Sequence, residues 1–305
     1  MSEHYPRDMV GYGASPPHPR WPGSARVAVS FVLNYEEGGE MNVLHGDAQS
    51  ESYLTEVVGT PPRVGERNLS IESTYEYGSR AGFWRIHRLF TEAGVPITIY
   101  GVTMAMARNP EAVKAMVDAG WDIASHGLRW IDYHGMSEAE ERRQMQEAIE
   151  THTRLTGSRP LGWYCGRHSH NTRRLVVEEG GFLYDSDDYS DDLPFWDTRH
   201  GKPQLIIPYT LDANDMRFGL VNGFTAGDQF FNYLREAFDT LYEEGAHAPK
   251  MMSIGLHCRA VGRPGRFRAL QRFLEHVRAH EDAWLCRRVD IARHWMEHFP
   301  PQEKS

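Results

Sequence analysis

Two segments of the chain end apolar runs in side chains that could carry out chemistry. Residues 29–38 finish in a pair of glutamates, the first of which is Glu36, and residues 125–130 open with a serine followed by His126. Apolar runs of this length are typical of buried parallel strands, and α/β enzymes keep their chemistry at the carboxyl ends of such strands. We therefore expect Glu36 and His126 to lie at the same edge of a sheet.

The same two segments have the spacing of a hydrolase metal site whose ligands have been replaced. A zinc-type site takes about three protein ligands and a water, which here would be an aspartate near position 34 and histidines at positions 126 and 130. The chain has Asn34 and Trp130 at two of these positions, so only His126 remains in place. The sequence therefore predicts a site with no metal and no other cofactor.

Two adjacent carboxylates follow the first strand, and they point to opposite faces of it. Glu36 shares its face with Asn34 and Ser30, so Glu36 rather than Glu37 is predicted to enter the pocket. A carboxylate on the apolar floor of a barrel would have a raised pKa and could act as a general base on water. An exposed glutamate pair in a turn is the alternative interpretation.

A second histidine, His257, also ends a buried strand and is predicted to act as a general acid or an electrostatic partner of Glu36 or His126. A single histidine is more often structural than catalytic, and the chain has 16 of them. The position at a strand end favours the catalytic interpretation for both. Trp130 is predicted to form a wall of the pocket, with ordinary core packing as the alternative.

Residues 162–174 are rich in hydrogen-bond donors and lie between a predicted strand and a helix that begins near Asn171. Arg167 could hold a carbonyl or carboxylate in a forked geometry, and backbone amides there could stabilise an oxyanion. His168 and His170 could ligate a metal, but the neighbouring arginines disfavour a cation.

Residues 184–196 carry many aspartates after another strand. They lack the glycine and the glutamate that a calcium-binding loop requires. We predict a hydrogen-bonded turn that pairs with the arginines of the preceding loop.

Short apolar runs alternate with helical patterns along the chain, which indicates an α/β barrel. No Gly-rich phosphate turn follows the first strand, so two Rossmann halves are disfavoured. We predict one catalytic domain over residues 1–305, with a lead-in of residues 1–25 and a deformed (β/α) barrel over about residues 26–295. Its seven or eight parallel strands are predicted at residues 26–33, 96–102, 122–125, 161–165, 182–185, 204–208, 251–258 and, less regularly, 283–286.

Helix boundaries are clearest where capping residues occur. Ser137 opens a capping box whose helix is predicted to end at Gly157, and Asn109 precedes a proline that begins another helix. Residues 38–77 interrupt the alternation, because roughly forty residues far exceed the usual βα loop. This insertion is predicted to cover the site or to contact another subunit, and a surface excursion with neither role is the alternative.

Composition narrows the range of partners to small molecules. A net charge of −9, from 33 basic and 42 acidic residues, argues against nucleic acid and against a polybasic membrane surface. No signal-like segment and no long uncharged apolar run is present in the sequence, so a cytoplasmic, soluble protein is expected. The three cysteines, Cys165, Cys258 and Cys286, are predicted to be buried free thiols.

Taken together, these blocks resemble the polysaccharide deacetylase family, also called NodB-homology hydrolases, and within it the bacterial cofactor-independent allantoinases. The resemblance covers residues 20–298. It rests on the motifs at residues 34–39, 125–130, 162–167 with 171–173, 184–187 with 191–194, and 255–257 with 262–266.

The resemblance implies a deformed barrel, a homo-oligomer that is expected to be a tetramer, and hydrolysis of the hydantoin ring of allantoin to allantoate in purine breakdown. The wider family has an Asp-rich first motif and a His-x-x-x-His second motif that supply a base and metal ligands. The first motif aligns either with Val32 and Asn34 or with Glu36 and Glu37, and both alignments stay open. The second motif keeps His126 and has a tryptophan in the other position.

The chemistry of adding water to an amide carbonyl without a metal suggests the roles that we assign to the candidate residues. The general base is Glu36, proton shuttles or oxyanion partners are His126 and His257, substrate clamps are Asn34 and Arg167, and the walls of the ring slot are Trp130 or Trp163. Two alternatives remain: a metal-dependent deacetylase of a sugar or peptidoglycan fragment, and a non-catalytic barrel that binds a ureide.

Overall fold

The centre of the fold is a curled sheet of nine strands, seen in a computed structural model that describes residues 5–301. Residues 1–4 of the predicted lead-in and residues 302–305 lie outside the described residues. The sheet has the order β6-β7-β5-β4-β3-β2-β1-β8, and β9 pairs with the beginning of β1. The strands are β1 (Val27–Tyr35), β2 (Thr98–Gly101), β3 (Asp122–Ser125), β4 (Gly162–Trp163), β5 (Tyr184–Asp185), β6 (Phe195–Asp197), β7 (Gln204–Ile206), β8 (Lys250–His257) and β9 (Ala283–Leu285).

Helices pack around this sheet. They are α1 (Leu69–Tyr77), α2 (Phe83–Ala93), α3 (Thr103–Arg108), α4 (Pro110–Asp118), α5 (Glu138–Thr156), α6 (Thr172–Glu179), α7 (Gly227–Glu244), α8 (Pro264–Arg278) and α9 (Arg288–His298). A π-helical turn, Gly78–Gly82, joins α1 to α2. In the part of the chain that the structure describes, no helix is both long and apolar enough to cross a membrane.

The predicted fold class is confirmed, as a half-barrel whose sheet begins at β6 and ends at β8. Every strand pair is parallel except β6 with β7. The antiparallel strand β6 was not predicted from the sequence. Its three residues are too few to produce a periodic pattern, and its first two are only half-buried.

Successive side chains of β1 point alternately into two different apolar cores. Val29, Phe31 and Leu33 pack outward against the helices, in the same cluster as residues of α2, α7 and α8. Ala28 and Val32 point into the barrel, where they join a second cluster with tyrosines and with residues of α9. Because every residue of β1 is buried on one face or the other, a shift of one residue would exchange the two faces.

The helix boundaries predicted from capping residues are confirmed. The Ser137 side chain accepts a hydrogen bond from the Glu140 amide at the start of α5, and α5 ends at Gly157, whose φ is 80°. The Asn109 side chain caps α4 in the same way. The predicted insertion is partly helical, because α1 lies within it. The low amphipathicity of α1 explains why the sequence did not indicate it.

The opening between the two ends of the sheet is spanned by one buried arginine. Arg288, at the start of α9, has no exposed surface. Its guanidinium donates to Ser253 Oγ of β8 at 2.6 Å, to the Pro208 carbonyl beyond β7 at 2.8 Å and to Ser186 Oγ beyond β5 at 3.0 Å. β8 pairs with neither β5 nor β7, so these bonds tie β8 to the opposite side of the barrel.

We predict that Arg288→Met lowers the free energy of unfolding by about 3 kcal/mol or more, because it leaves several buried acceptors without a donor. Urea denaturation followed by circular dichroism measures this change. Arg287→Met is the matched control, since Arg287 is half-exposed and pairs with Asp290 near the surface. The control should change stability by less than about 1 kcal/mol. Equal effects of the two substitutions would contradict the bridging role of Arg288.

Candidate functional site

The carboxyl ends of β1, β3 and β8 bring Glu36, His126 and His257 together. Glu36 Oε1 lies 3.3 Å from His126 Nε2 and 3.4 Å from His257 Nε2. The three residues are 1%, 2% and 5% exposed. The proximity of these side chains agrees with their placement from the sequence, while their roles remain a proposal.

Glu36 also pairs with an arginine that the sequence reasoning did not select. Arg259 Nη1 lies 2.7 Å from Glu36 Oε2, and its guanidinium sits over the rings of Tyr75 at 4.3 Å and Trp130 at 5.1 Å. Burial works to raise the pKa of Glu36, but the charges of Arg259 and His257 outweigh it and hold that pKa well below its usual range. Glu36 is therefore an ionised acceptor of hydrogen bonds.

His257 is held between two carboxylates. Its Nδ1 lies 2.6 Å from Asp215 Oδ1, and its Nε2 faces Glu36. Burial opposes the charged ring, yet Glu36 and Asp215 together raise the pKa of His257 to about 9. Asp215 Oδ2 accepts the backbone amides of His257 and Val261, which fixes the carboxylate in place. His257 is consequently an imidazolium near neutral pH.

His126 has a different environment. Its Nε2 faces the ionised Glu36, while its Nδ1 is buried and has no hydrogen-bond partner within residues 5–301. The ring lies 5.0 Å from that of Tyr164 and 6.0 Å from that of Tyr100. A carboxylate can only accept, so the shared proton belongs to Nε2 of His126. In the neutral ring, this leaves a lone pair on Nδ1.

Glu37 lies on the other face of the chain, as the alternation predicted. Its Oε2 accepts the backbone amide of Glu36, and its side chain fills the space beside Gly78, where a Cβ would lie 2.4 Å from Oε1. Burial is the main cause that raises the pKa of Glu37 to about 7, and the charge of Glu36 adds to it against the pull of Arg259. Glu37 supports the site from behind Arg259 and contacts neither histidine.

The predicted substrate-binding residues Trp130, Arg167 and Asn34 do not all lie beside the Glu36 carboxylate in the same way. Trp130 is buried beside Arg259, and the guanidinium of Arg167 lies over the Trp130 ring, 4.2 Å from its centre. Asn34 is inside the barrel, but its amide nitrogen already donates to Tyr209 Oη and to the Leu256 carbonyl, each at 3.0 Å. Asn34 is thus placed beneath the site as a support.

Trp163 does not belong to this site, in contrast to the prediction that it could form a wall of the ring slot. Its ring packs against Phe182 at 5.4 Å, in a separate apolar cluster with residues of α5 and α6. The physical reason is strand alternation, because the next residue, Tyr164, is the one that points inward to His126.

The loop after β4 is held by the loop after β5. Asp187 accepts the backbone amides of Cys165 and Gly166, so these amides are occupied and are not free to stabilise an oxyanion as predicted. Arg173 lies 3.0 Å from Asp185, which agrees with the predicted pairing of arginines and aspartates. The three cysteines are buried and free, as predicted.

The insertion covers the site. Tyr53 stacks on Trp130 with ring centres 6.1 Å apart, and Glu51 lies 3.3 Å from Arg167. Tyr75 covers Arg259. Of the two roles predicted for residues 38–77, the structure thus places them over the site. A small cleft between residues 54–56 and residues 215–219 leads from the surface to His257.

The residues present do not fit a divalent metal. The one carboxylate between the histidines is already bound to the guanidinium of Arg259, and the negative charges of Glu36 and Asp215 keep His257 in its protonated form. Trp130 occupies the position where the wider family pattern has its second histidine. A cation placed here would meet two positive groups, so we derive no chemistry through a metal.

Sequence reasoning missed Arg259, Asp215 and Tyr209. Arg259 had a usable signal, because it lies two residues beyond His257 and so shares its face. Asp215 had none, since it lies in a short 3₁₀ helix, Asp215–Gly219, after an irregular segment. Its approach to His257 depends on contacts between positions 42 residues apart.

This chain is similar in sequence and in fold to known proteins. The family model described as Polysaccharide deacetylase matches residues 64–181. A crystal structure of PuuE allantoinase is 63% identical, covers 98% of this chain and 100% of its own, and has a TM-score of 0.97. A second crystal structure, of a Pseudomonas aeruginosa PAO1 protein that bears the name "probable Polysaccharide deacetylase", is 62% identical to this chain. It has the same coverage and a TM-score of 0.96.

A full-length relative extends this agreement to the whole sequence. A protein from Schizosaccharomyces pombe, also named after the polysaccharide deacetylases, is 44% identical over 96% of this chain and 98% of its own length. The parallel half-barrel and the strand-end site are both consistent with these matches. The chain therefore belongs to the polysaccharide deacetylase family of hydrolases.

Proposed function

We propose that this protein hydrolyses the hydantoin ring of allantoin to allantoate without a metal. The observation that carries the proposal is the buried Glu36 carboxylate, surrounded by Arg259 and two histidines. Such a site offers fixed positive charge, a proton donor and a base, which are the requirements for adding water to an amide carbonyl. The 63% identity to PuuE allantoinase supports the choice of substrate.

The closed shape of the site favours a small ring over a polymer. Glu36 is 1% exposed, and the insertion lies over Trp130 and Arg259. A polysaccharide deacetylase must admit a chain of sugars along an open groove, whereas a single five-membered ring can be enclosed. The aromatic faces of Trp130 and Tyr75 suit a flat ring.

In the proposed reaction, His126 takes a proton from water through its Nδ1, which has no hydrogen-bond partner in the described part of the chain. The water oxygen then bonds to the ring carbonyl that becomes the carboxylate. The low pKa of Glu36 makes it a weak base, so Glu36 acts by accepting a hydrogen bond from the Nε2–H group of His126 and holding the ring in one orientation. This assignment moves the role of base from Glu36 to His126.

The second half of the reaction breaks the carbon–nitrogen bond. The imidazolium of His257 donates its Nε2 proton to the departing imide nitrogen, which becomes the terminal amide of the new ureido group. Arg259 and His257 supply the positive charge that stabilises the tetrahedral oxyanion, and one such interaction contributes about 3 kcal/mol. A ring imide is a better acceptor than an acetamide, so this charge can replace the action of a metal.

The first test is an assay of allantoate formation from each enantiomer of allantoin, with and without a chelator. We expect turnover of allantoin that the chelator leaves unchanged. Deacetylation of a sugar or peptidoglycan fragment, measured in parallel, should be undetectable. Loss of activity on chelation would contradict the metal-free proposal, and tight binding of allantoin without turnover would favour a non-catalytic barrel.

The role of Glu36 is tested by Glu36→Gln. We expect kcat to fall by about 10²–10⁴-fold while allantoin still binds, because His126 loses the acceptor that fixes its tautomer. Glu37→Gln is the matched control, one residue away and on the opposite face, and its loss should be much smaller. Steady-state kinetics and calorimetric binding distinguish the two variants. Near-normal kcat in Glu36→Gln would contradict the mechanism.

The pH profile tests His257. Since its pKa is raised to about 9, the donor is protonated at neutral pH and activity should decline as the pH rises through about 9. Asp215→Asn removes one of the two carboxylates that raise this pKa. The alkaline limb of kcat/KM should then move to lower pH by about 1 unit or more.

Asp212→Asn is a suitable control for that measurement. Asp212 lies in the same segment as Asp215, but its carboxylate bonds to Tyr233 and Thr210. The alkaline limb of kcat/KM in Asp212→Asn should match that of the unmodified protein. If the alkaline limb of kcat/KM is unchanged in Asp215→Asn, a group other than His257 determines it.

A further inference from the structure

A cluster of potential metal ligands lies between two outer helices, apart from the site described above. Within residues 5–301, Asp239, His276 and His280 form one group of three whose ligand atoms all lie within 4.8 Å of one another. Asp239 is in α7, His276 is in the last turn of α8, and His280 follows that helix. All three side chains are half-buried.

The cluster lies far along α8 from the site. This helix begins at Pro264, close after His257, and His276 is in its last turn. At 1.5 Å per residue, His276 is about 18 Å along the helix from Pro264. Ligand binding there is therefore separable from the chemistry of Glu36.

The hydrogen bonds of the cluster prepare it for a cation. His280 Nδ1 lies 2.9 Å from the His276 carbonyl, which can only accept, so Nδ1 carries the proton and the Nε2 lone pair is free. This arrangement is the usual support for a metal-ligating histidine. His276 Nε2 already lies 2.6 Å from Asp239 Oδ1, so a carboxylate and an imidazole meet at one point.

The surroundings hold the ligands in place. The rings of His276 and His280 are 4.9 Å apart, and Phe238 packs against both, at 5.5 Å and 5.0 Å. Tyr242 lies 4.7 Å from His280. The nearby cation of Arg235 is paired with Glu236, which weakens its repulsion of a metal. These contacts restrict the histidines to small movements.

We propose that Asp239, His276 and His280 form a structural binding site for a divalent transition metal, with zinc as the preferred ion. Two imidazoles and a carboxylate are a common donor set for zinc, and water completes the tetrahedron. Zinc takes the place of the proton between His276 Nε2 and Asp239. That proton moves through solvent to Nδ1 of the same ring, so the step requires no oxidant or reductant.

The function of this site is to join α7 to α8. These helices pack on the outer face of β1 and β8, and β8 ends in His257. A ligand that binds the folded state alone stabilises it by mass action. Zinc should therefore raise the melting temperature while it leaves the turnover of allantoin unchanged.

The experiment begins with protein stripped by a chelator and dialysed. Zinc chloride is titrated by calorimetry, and the melting temperature is measured with and without zinc. We expect one zinc per chain and a higher melting temperature. His280→Gln and Asp239→Asn should each weaken zinc binding by about tenfold or more and remove the thermal shift. Circular dichroism verifies that both variants fold.

Control variants locate the bound ion. His247→Gln replaces an exposed histidine just beyond α7 and should bind zinc as the unmodified protein does. Absence of zinc binding, or binding that survives in both His280→Gln and Asp239→Asn, would overturn the proposal. Zinc binding lost only in His126→Gln would place the ion at the candidate active site, which would overturn the metal-free reaction as well.

Discussion

The ion pair between Glu36 and Arg259 is the constraint on which the rest of the site depends. Both side chains are almost fully buried, and an ionised carboxylate without a partner would be very costly there. Arg259 also requires shielding, which the faces of Tyr75 and Trp130 provide. The insertion and the loop after β3 are therefore held over the barrel by the same guanidinium that keeps Glu36 ionised.

The two histidines share Glu36 as a neighbour but differ in what lies beside the other nitrogen of the ring. Both face Glu36 Oε1, but His257 has Asp215 on its other nitrogen and His126 has no partner there within the described chain. Two carboxylates keep His257 positive, whereas His126 retains an available lone pair when neutral. In the proposed reaction, one acid and one base thus arise from the same residue type, because their second neighbours differ.

The part of the site that could be predicted from the sequence follows from strand alternation. Glu36, His126 and His257 all end buried strands, and parallel strands bring their carboxyl ends to one edge. The same rule, applied to β4, would have rejected Trp163 in favour of Tyr164. Asp215 could not be found in this way, because it reaches His257 from an irregular segment whose path depends on tertiary packing. The helix α1 was hidden for a related reason, since its faces differ little in polarity.

The proposed metal-free reaction does not require a new fold. In the proposed reaction, the charge that a metal would supply comes from Arg259 and protonated His257, both of which are carried by β8 and the turn after it. Neither group can coordinate water and acidify it as a metal does. The chemistry must then rely on a separate base and on a substrate that is already activated. On the proposed mechanism such a site would act on reactive, compact amides, and the cover formed by residues 38–77 supports the same proposal through its shape.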